Sequence, residues 1–230
     1  MIKIFEAQVD GCYIKAGIAE TDEELTGAYS IRWREYVAKR QQISRQEVVE
    51  MAEQHNQPEL IRYFDHDLEV DYCDPVSTSC IISVDGRIIA CLRLTAFGYP
   101  WRLDEYKFNG KSFSLPDTIP GSKEKLDPSL AVEAARFLTG EHTTINGWRL
   151  NLSFLVLSIG LEACRIMGKK FWVLAGNVRI LEHLREHGWP FNELIPGEYE
   201  YHGSRVRLAY LRVPDTSHED YLYTLIKPPR

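Results

Sequence analysis

In the stretch "LAVEAARFLTG", Leu130 to Gly140, a glutamate and an arginine three residues apart, Glu133 and Arg136, stand in a run that otherwise reads as a buried β-strand. Burying charge is costly unless it is paired or used, so each must have a partner or a task. Residues three apart on a strand face opposite sides, which predicts different partners for the two. Two readings stay open: a pair of structural ion pairs, or a carboxylate base lining a cleft with the arginine fixing the site. Upstream, "FDHDLEVDYCDP" carries Asp65, Asp67, Glu69, Asp71 and Asp74 within ten positions. It lacks the spacing and turn glycine of an EF-hand calcium loop. The run reads as a solvated loop or as a rim for a cation, for which an amine donating hydrogen bonds to carboxylates is a better match than calcium.

Other chemistries find less support. His183 and His187 lie at i and i+4, but Leu184 stands where the metal-binding H-E-x-x-H motif needs glutamate, so they read as exposed helix histidines and no metal is expected. There is no G-x-S-x-G, no P-loop and no G-x-G-x-x-G. The five cysteines, Cys12, Cys73, Cys80, Cys91 and Cys164, show no C-x-x-C pair and fit a reducing cytoplasm. A net charge of −6 gives no global case for nucleic acid. No apolar stretch approaches the roughly 18 to 20 residues that span a bilayer. The N-terminus, "MIKIFEAQVDG", lacks the pattern of a secretory signal. A local basic patch is still available: Arg149, Arg165, Lys169 and Lys170, with Arg179 and Arg185 nearby in sequence, would suit a strongly acidic partner.

The elements that must position these residues follow from period and punctuation. Thr21 with Glu24 forms a capping-box signature ahead of a helix, and a second helix through "SRQEVVEMAEQHNQPELIRYF" is broken by Pro58, so two helices are expected to lead the fold. "STSCIISVDGRIIACLRLTAF" is two β-rich runs around Asp85-Gly86, an antiparallel hairpin. Proline and glycine punctuate Tyr99 to Pro128, which reads as a surface loop or lid. After the Glu133 strand come an apolar-faced helix to Lys170, the strand "KFWVLAG", the helix "NVRILEHLREHG" and the strand "RVRLAYLRV". With 44% hydrophobic residues, no repeat and no linker, residues 1–230 are expected to form a single α/β domain.

Set in order, these segments resemble the acyl-homoserine-lactone synthases, the autoinducer synthases of quorum sensing, which are GNAT-like N-acyltransferases. "IRWREY" is similar to the family's opening, placing Arg32 at its arginine and Tyr36 at its aromatic; "EVDYCD" matches Glu-x-Asp-x-x-Asp with Glu69, Asp71 and Asp74. "ACLRLTAF" places Arg93, "VEAARF" resembles Glu-x-Ser-Arg-Phe with Glu133, Arg136 and Phe137, and the last helix ends in Gly188-Trp189. Gln42 stands where the family usually has tryptophan, and Ala135 where it has serine.

The resemblance implies a GNAT-like fold, a central, mostly antiparallel twisted sheet flanked by helices. It implies transfer of an acyl group from an acyl-carrier-protein or coenzyme A thioester to the amine of S-adenosylmethionine, with lactonisation and no bound cofactor. Glu133 and Arg136 would be catalytic, while Arg32, Tyr36, Asp71, Asp74, Arg93 and Phe137 would bind the acceptor or organise its site. The acyl chain would lie near Leu152 to Leu157 and Trp172 to Leu174. The sequence lacks the pyrophosphate loop of coenzyme A-dependent GNAT enzymes, which favours an acidic carrier protein meeting Arg149, Arg165, Lys169 and Lys170. The alternatives are an N-acyl amino acid synthase and a non-catalytic acyl-carrier or lipid sensor.

Overall fold

The chain opens on a β-hairpin, where the sequence pattern predicts that helices lead. In the computed structural model the described residues are 1–217, 222 and 225, except 10, 41, 100, 102, 104–106, 109–110, 140–143, 146–147, 150 and 202–203. In chain order the elements are β1 (Ile2–Val9), β2 (Cys12–Ile18), α1 (Asp22–Arg32), a π-helical segment (Trp33–Lys39), α2 (Arg45–His55), α3 (Glu59–Asp65), β3 (Ser77–Val84) and β4 (Arg87–Ala96). They continue with β5 (Lys107–Phe108), β6 (Lys111–Ser112), β7 (Ala131–Thr139), β8 (Thr144–Ile145), β9 (Trp148–Arg149) and α4 (Leu152–Ile166). The last are β10 (Phe171–Asn177), α5 (Val178–Glu186), β11 (Asn192–Tyr201) and β12 (Ser204–Arg212).

The chain divides into two compact units, Met1–Leu94 with Arg136–Ala163 and Thr216–Arg230, and Thr95–Ala135 with Cys164–Asp215. In the first, neighbouring strands run β1-β2-β3-β4 and then the Arg136–Thr139 end of β7. The β2 strand alternates as a half-buried strand should, with Ile14 and Ala16 buried and Lys15 exposed. Helix α1 starts with the expected capping box: Thr21 Oγ1 accepts the Glu24 N–H at 3.2 Å, and Glu24 in turn accepts the Thr21 N–H at 3.3 Å. A second capping box, Ser44 with Glu47, starts α2, and Pro58 stands at the N-cap of α3, a position that needs no intrahelical N–H. Asp85 and Gly86, at φ 50° and 82°, give the two left-handed residues that a two-residue hairpin turn needs between β3 and β4.

Gly17 in β2 is a packing requirement. A Cβ there would lie 2.1 Å from the Ile2 carbonyl oxygen, a backbone atom that cannot swing aside. We expect Gly17→Ala to cost about 1–3 kcal/mol by overpacking. The measurement is the urea midpoint at unchanged m-value, and an unchanged midpoint would mean that β1 yields freely.

In the second unit, β7 pairs parallel with β10, with Glu133 opposite Val173, and β12 pairs antiparallel with both β10 and β11. The segment between β4 and β7 corrects the expectation of a surface excursion. Its Trp101, Leu103, Ile119 and Leu126 are buried in one cluster with Ala131, Phe171, Val173 and Leu208. Backbone pairs such as Ile119 N–H to Glu124 O at 2.9 Å and Leu126 N–H to Asp117 O at 3.0 Å satisfy the irregular chain. Its few apolar residues can therefore face inward without a helix or strand period. The mixed α/β class is as the sequence pattern predicts, and the mostly antiparallel sheet as the family resemblance implies.

Candidate active site

Alternation in "EVDYCD" separates two functions. Val70 and Tyr72 join the apolar cluster formed with Val48, Ala52 and Leu60 of α2 and α3, while Glu69 and Asp71, two residues apart and so on one face, meet arginines. Arg32, the last residue of α1, points both terminal nitrogens at Asp74, at 2.7 and 2.8 Å, in the bidentate geometry its planar fork favours, and its Nε donates to Glu69. Arg93 of β4 donates to Asp71 and lies 3.7 Å from Asp74. Arg136 of β7 donates through one terminal nitrogen to Glu69 at 2.8 Å and to Asp71 at 2.9 Å. Backbone groups complete the cage: the Asp71 N–H donates to Asp74 at 2.7 Å and the Cys73 N–H to Asp71 at 2.9 Å.

Three guanidiniums thus face three carboxylates, all in the first unit. Burial works against charge on Arg136, but Glu69 and then Asp71 outweigh it and hold its pKa well above the ordinary value. The same balance, with Asp74 as the largest favourable partner, applies to Arg32. The acidic run is therefore neither a solvated loop nor an open rim: Glu69, Asp71 and Asp74 turn inward, while Asp65 pairs with exposed Arg45 and Asp67 stays exposed.

Arg136 has φ 53°, the left-handed region, inside a strand. That conformation costs an L-residue roughly 1–2 kcal/mol. The ion contacts to Glu69 and Asp71 offset it. Tyr36, from the π-helical segment, braces the same point: its hydroxyl donates to the Phe137 carbonyl at 3.1 Å and its ring lies 5.4 Å from the Arg136 guanidinium. Burial pushes the Tyr36 phenol up to about 12, so it remains a neutral donor. Phe137 enters this arrangement through its backbone oxygen.

Glu133 belongs to the second unit and has a different kind of partner. It is 2% exposed, and its Oε1 accepts the Leu103 N–H at 2.8 Å. The two charges of "VEAARF" therefore do separate, one to a backbone donor and one to carboxylates.

Of the basic residues, Arg165 and Lys170 are exposed, whereas the Lys169 ammonium donates to the Ser129 carbonyl at 2.7 Å. Arg149 ends β9, and its side chain lies outside the described residues. His183 and His187 are exposed on and after α5, and no metal-type cluster occurs among the described residues. Leu155, Val156 and Trp172, expected near the acyl chain, are fully buried. The sequence reading gave Glu69 no binding role, although it touches both Arg32 and Arg136; its spacing from Asp71 was the available signal. The Leu103 N–H had none, because its contact with Glu133 spans 30 residues.

No protein-family model matches the sequence, and no curated protein does. Solved structures do match. The AHL synthase LasI superposes with a TM-score of 0.61 at 14% identity, covering 95% of this chain and 98% of that one. A CoA-dependent acyl-homoserine lactone synthase, BjaI, solved with SAM and isopentyl-CoA, gives 0.59 at 16%, covering 89% and 83%. A protein from Lactobacillus plantarum described as an N-acetyltransferase gives 0.53 at 14%, covering 87% and 99%. The chain has the fold that acyl-homoserine-lactone synthases share with N-acetyltransferases.

Proposed function

We propose that the protein is an acyl-homoserine-lactone synthase. The observation that carries the reading is the union of Arg32, Arg93 and Arg136 with Glu69, Asp71 and Asp74, four separate segments that the resemblance picks out, within a fold similar to LasI and BjaI.

In this reading the acceptor is S-adenosylmethionine and Glu133, through a water, takes the proton that its ammonium must lose. The amine then attacks the thioester carbonyl, the N–C bond forms, the C–S bond breaks and the thiol leaves protonated. The acceptor's own carboxylate next attacks the carbon bearing the sulfonium, closing the lactone and releasing methylthioadenosine. Asp71 and Asp74, whose oxygens are engaged by arginines and backbone N–H groups, act by orienting those arginines. Arg136 is the member of the trio with access to solvent, its side chain 14% exposed against 2% and 1% for Arg32 and Arg93, and it meets the acceptor's carboxylate.

The finer proposal for the donor is an acyl carrier protein, supported by exposed Arg165 and Lys170 and by the missing pyrophosphate loop. The test is mass spectrometry of purified protein with carrier and coenzyme A thioesters, S-adenosylmethionine and the common amino acids. Lactone plus methylthioadenosine supports the reading; an acylated amino acid without methylthioadenosine moves it to an N-acyl amino acid synthase. Arg165→Glu with Lys170→Glu should raise KM for the carrier thioester about tenfold and leave the coenzyme A thioester within about twofold, because rim charges steer a protein partner. Equal effects on both donors would remove the carrier assignment.

A further inference from the structure

The second unit contains a cavity of about 370 Å³ that no part of the proposed chemistry has used. That volume is in the lower range of small-molecule sites. Its walls are Phe97, Tyr99, Trp101, Phe113, Leu115 and Pro128, with the hydroxyls of Ser114 and Tyr99 and the indole N–H of Trp101 as the polar side-chain groups among the described lining residues. Phe97 and Tyr99 are 48% and 52% exposed, an unusual cost for large rings unless something covers them. Trp101 is fixed: its indole N–H lies 3.0 Å from the Thr95 carbonyl and 3.1 Å from that of Ala96. Its neighbours stand at ring-contact geometry, Phe97 edge-on at 5.6 Å and 81°, Phe113 tilted at 6.3 Å and 31°.

The cavity is tied to the strand that carries Glu133. The Phe97 N–H donates to the Ala131 carbonyl at 3.3 Å, and two residues past Trp101 the Leu103 N–H donates to Glu133. Ala131 and Glu133 are two residues apart on β7, about 7 Å at ~3.4 Å per residue. The β7 residues to which the Phe97 and Leu103 N–H groups are tied are thus a short acyl tail apart. No charged side chain is among the described lining residues, so the group is neutral, and rings presented by face and edge favour another ring over an alkyl chain of equal area.

We propose that this cavity receives the tail of the acyl group and selects aryl acyl groups of phenylpropanoid reach. The inference rests on the acyltransferase reading. It replaces the expectation that the acyl chain lies near Leu152 to Leu157 and Trp172 to Leu174, of which Leu155, Val156 and Trp172 are fully buried.

The test compares wild type, Leu115→Trp, which fills the cavity, and Phe113→Ala, which enlarges it, using acetyl, octanoyl, benzoyl and cinnamoyl thioesters. Wild type should prefer cinnamoyl over octanoyl about two- to tenfold in kcat/KM, the range of an added ring contact. Leu115→Trp should lower cinnamoyl turnover at least about tenfold while acetyl, too short to reach, changes less than about twofold. Parallel loss for both thioesters, or no change for either, would overturn the proposal. If wild type transfers none of them, the acyltransferase reading fails, and calorimetric titration with cinnamamide, which is uncharged like the thioester acyl group, decides the cavity separately. Binding to wild type that Leu115→Trp abolishes retains the aryl site, and no binding to wild type ends it.

Discussion

Glu133→Gln should retain the fold and lose about 10²–10⁴-fold in kcat, the usual contribution of a positioned general base. The two effects separate because glutamine keeps an oxygen where the Leu103 N–H finds its acceptor, at 2.8 Å in the wild type, but has no lone pair basic enough to take an ammonium proton. The unfolding midpoint therefore stays close to wild type while product formation collapses. Glu133→Ala is the control: it removes the acceptor and leaves a buried N–H unsatisfied, at about 1–3 kcal/mol. Steady-state product measured by mass spectrometry, beside urea unfolding, distinguishes the variants. Residual Glu133→Gln activity above a tenth of wild type would mean that another group takes the proton.

Arg32→Ala should be the most damaging change outside the base, with a loss of about 3–5 kcal/mol in stability. The magnitude follows from what is left behind. Glu69 and Asp74 are buried and both are partnered by this one guanidinium, so its removal strands negative charge in a dry interior instead of merely deleting an attraction. Against a domain stability of about 5–15 kcal/mol, such a loss threatens folding at ordinary temperature. The double variant Arg32→Met with Asp74→Asn should recover part of it, because the partner charge is gone too, and the double-mutant cycle reads the coupling directly. Arg136→Ala should cost less, since its more accessible position lets water replace part of the lost interaction. A cost below about 1 kcal/mol for Arg32→Ala would show that the network is solvated in solution.

Local signals transferred well from sequence to structure where one stretch of chain contained the whole cause. Thr21 and Glu24 cap each other over three residues, and Asp85-Gly86 turns a hairpin with its own φ angles. The β1–β2 hairpin has the same kind of signal, Asp10-Gly11 between two alternating runs, with Val9 registered on Cys12. The expectation of leading helices starts from the Thr21 capping box and passes over this pair. Trp101, Leu103, Ile119 and Leu126 were illegible for a different reason: they are core residues without period, buried by partners that lie on other elements.

What the amino-acid sequence determined by itself was the cast: most of the longer helices and strands from α1 onward, that charges interrupt an apolar strand, and that Arg32, Arg93 and Arg136 recur with an acidic run in a recognisable order. Which charge meets which was decided only by tertiary structure. "VEAARF" contains no glycine or asparagine to announce the φ of 53° at Arg136. That backbone state costs energy locally and is held by Glu69 and Asp71, more than 60 positions away in the chain. Ion pairing acts through space with no sequence period, so the partners become visible only when the fold brings them within a hydrogen bond of one another.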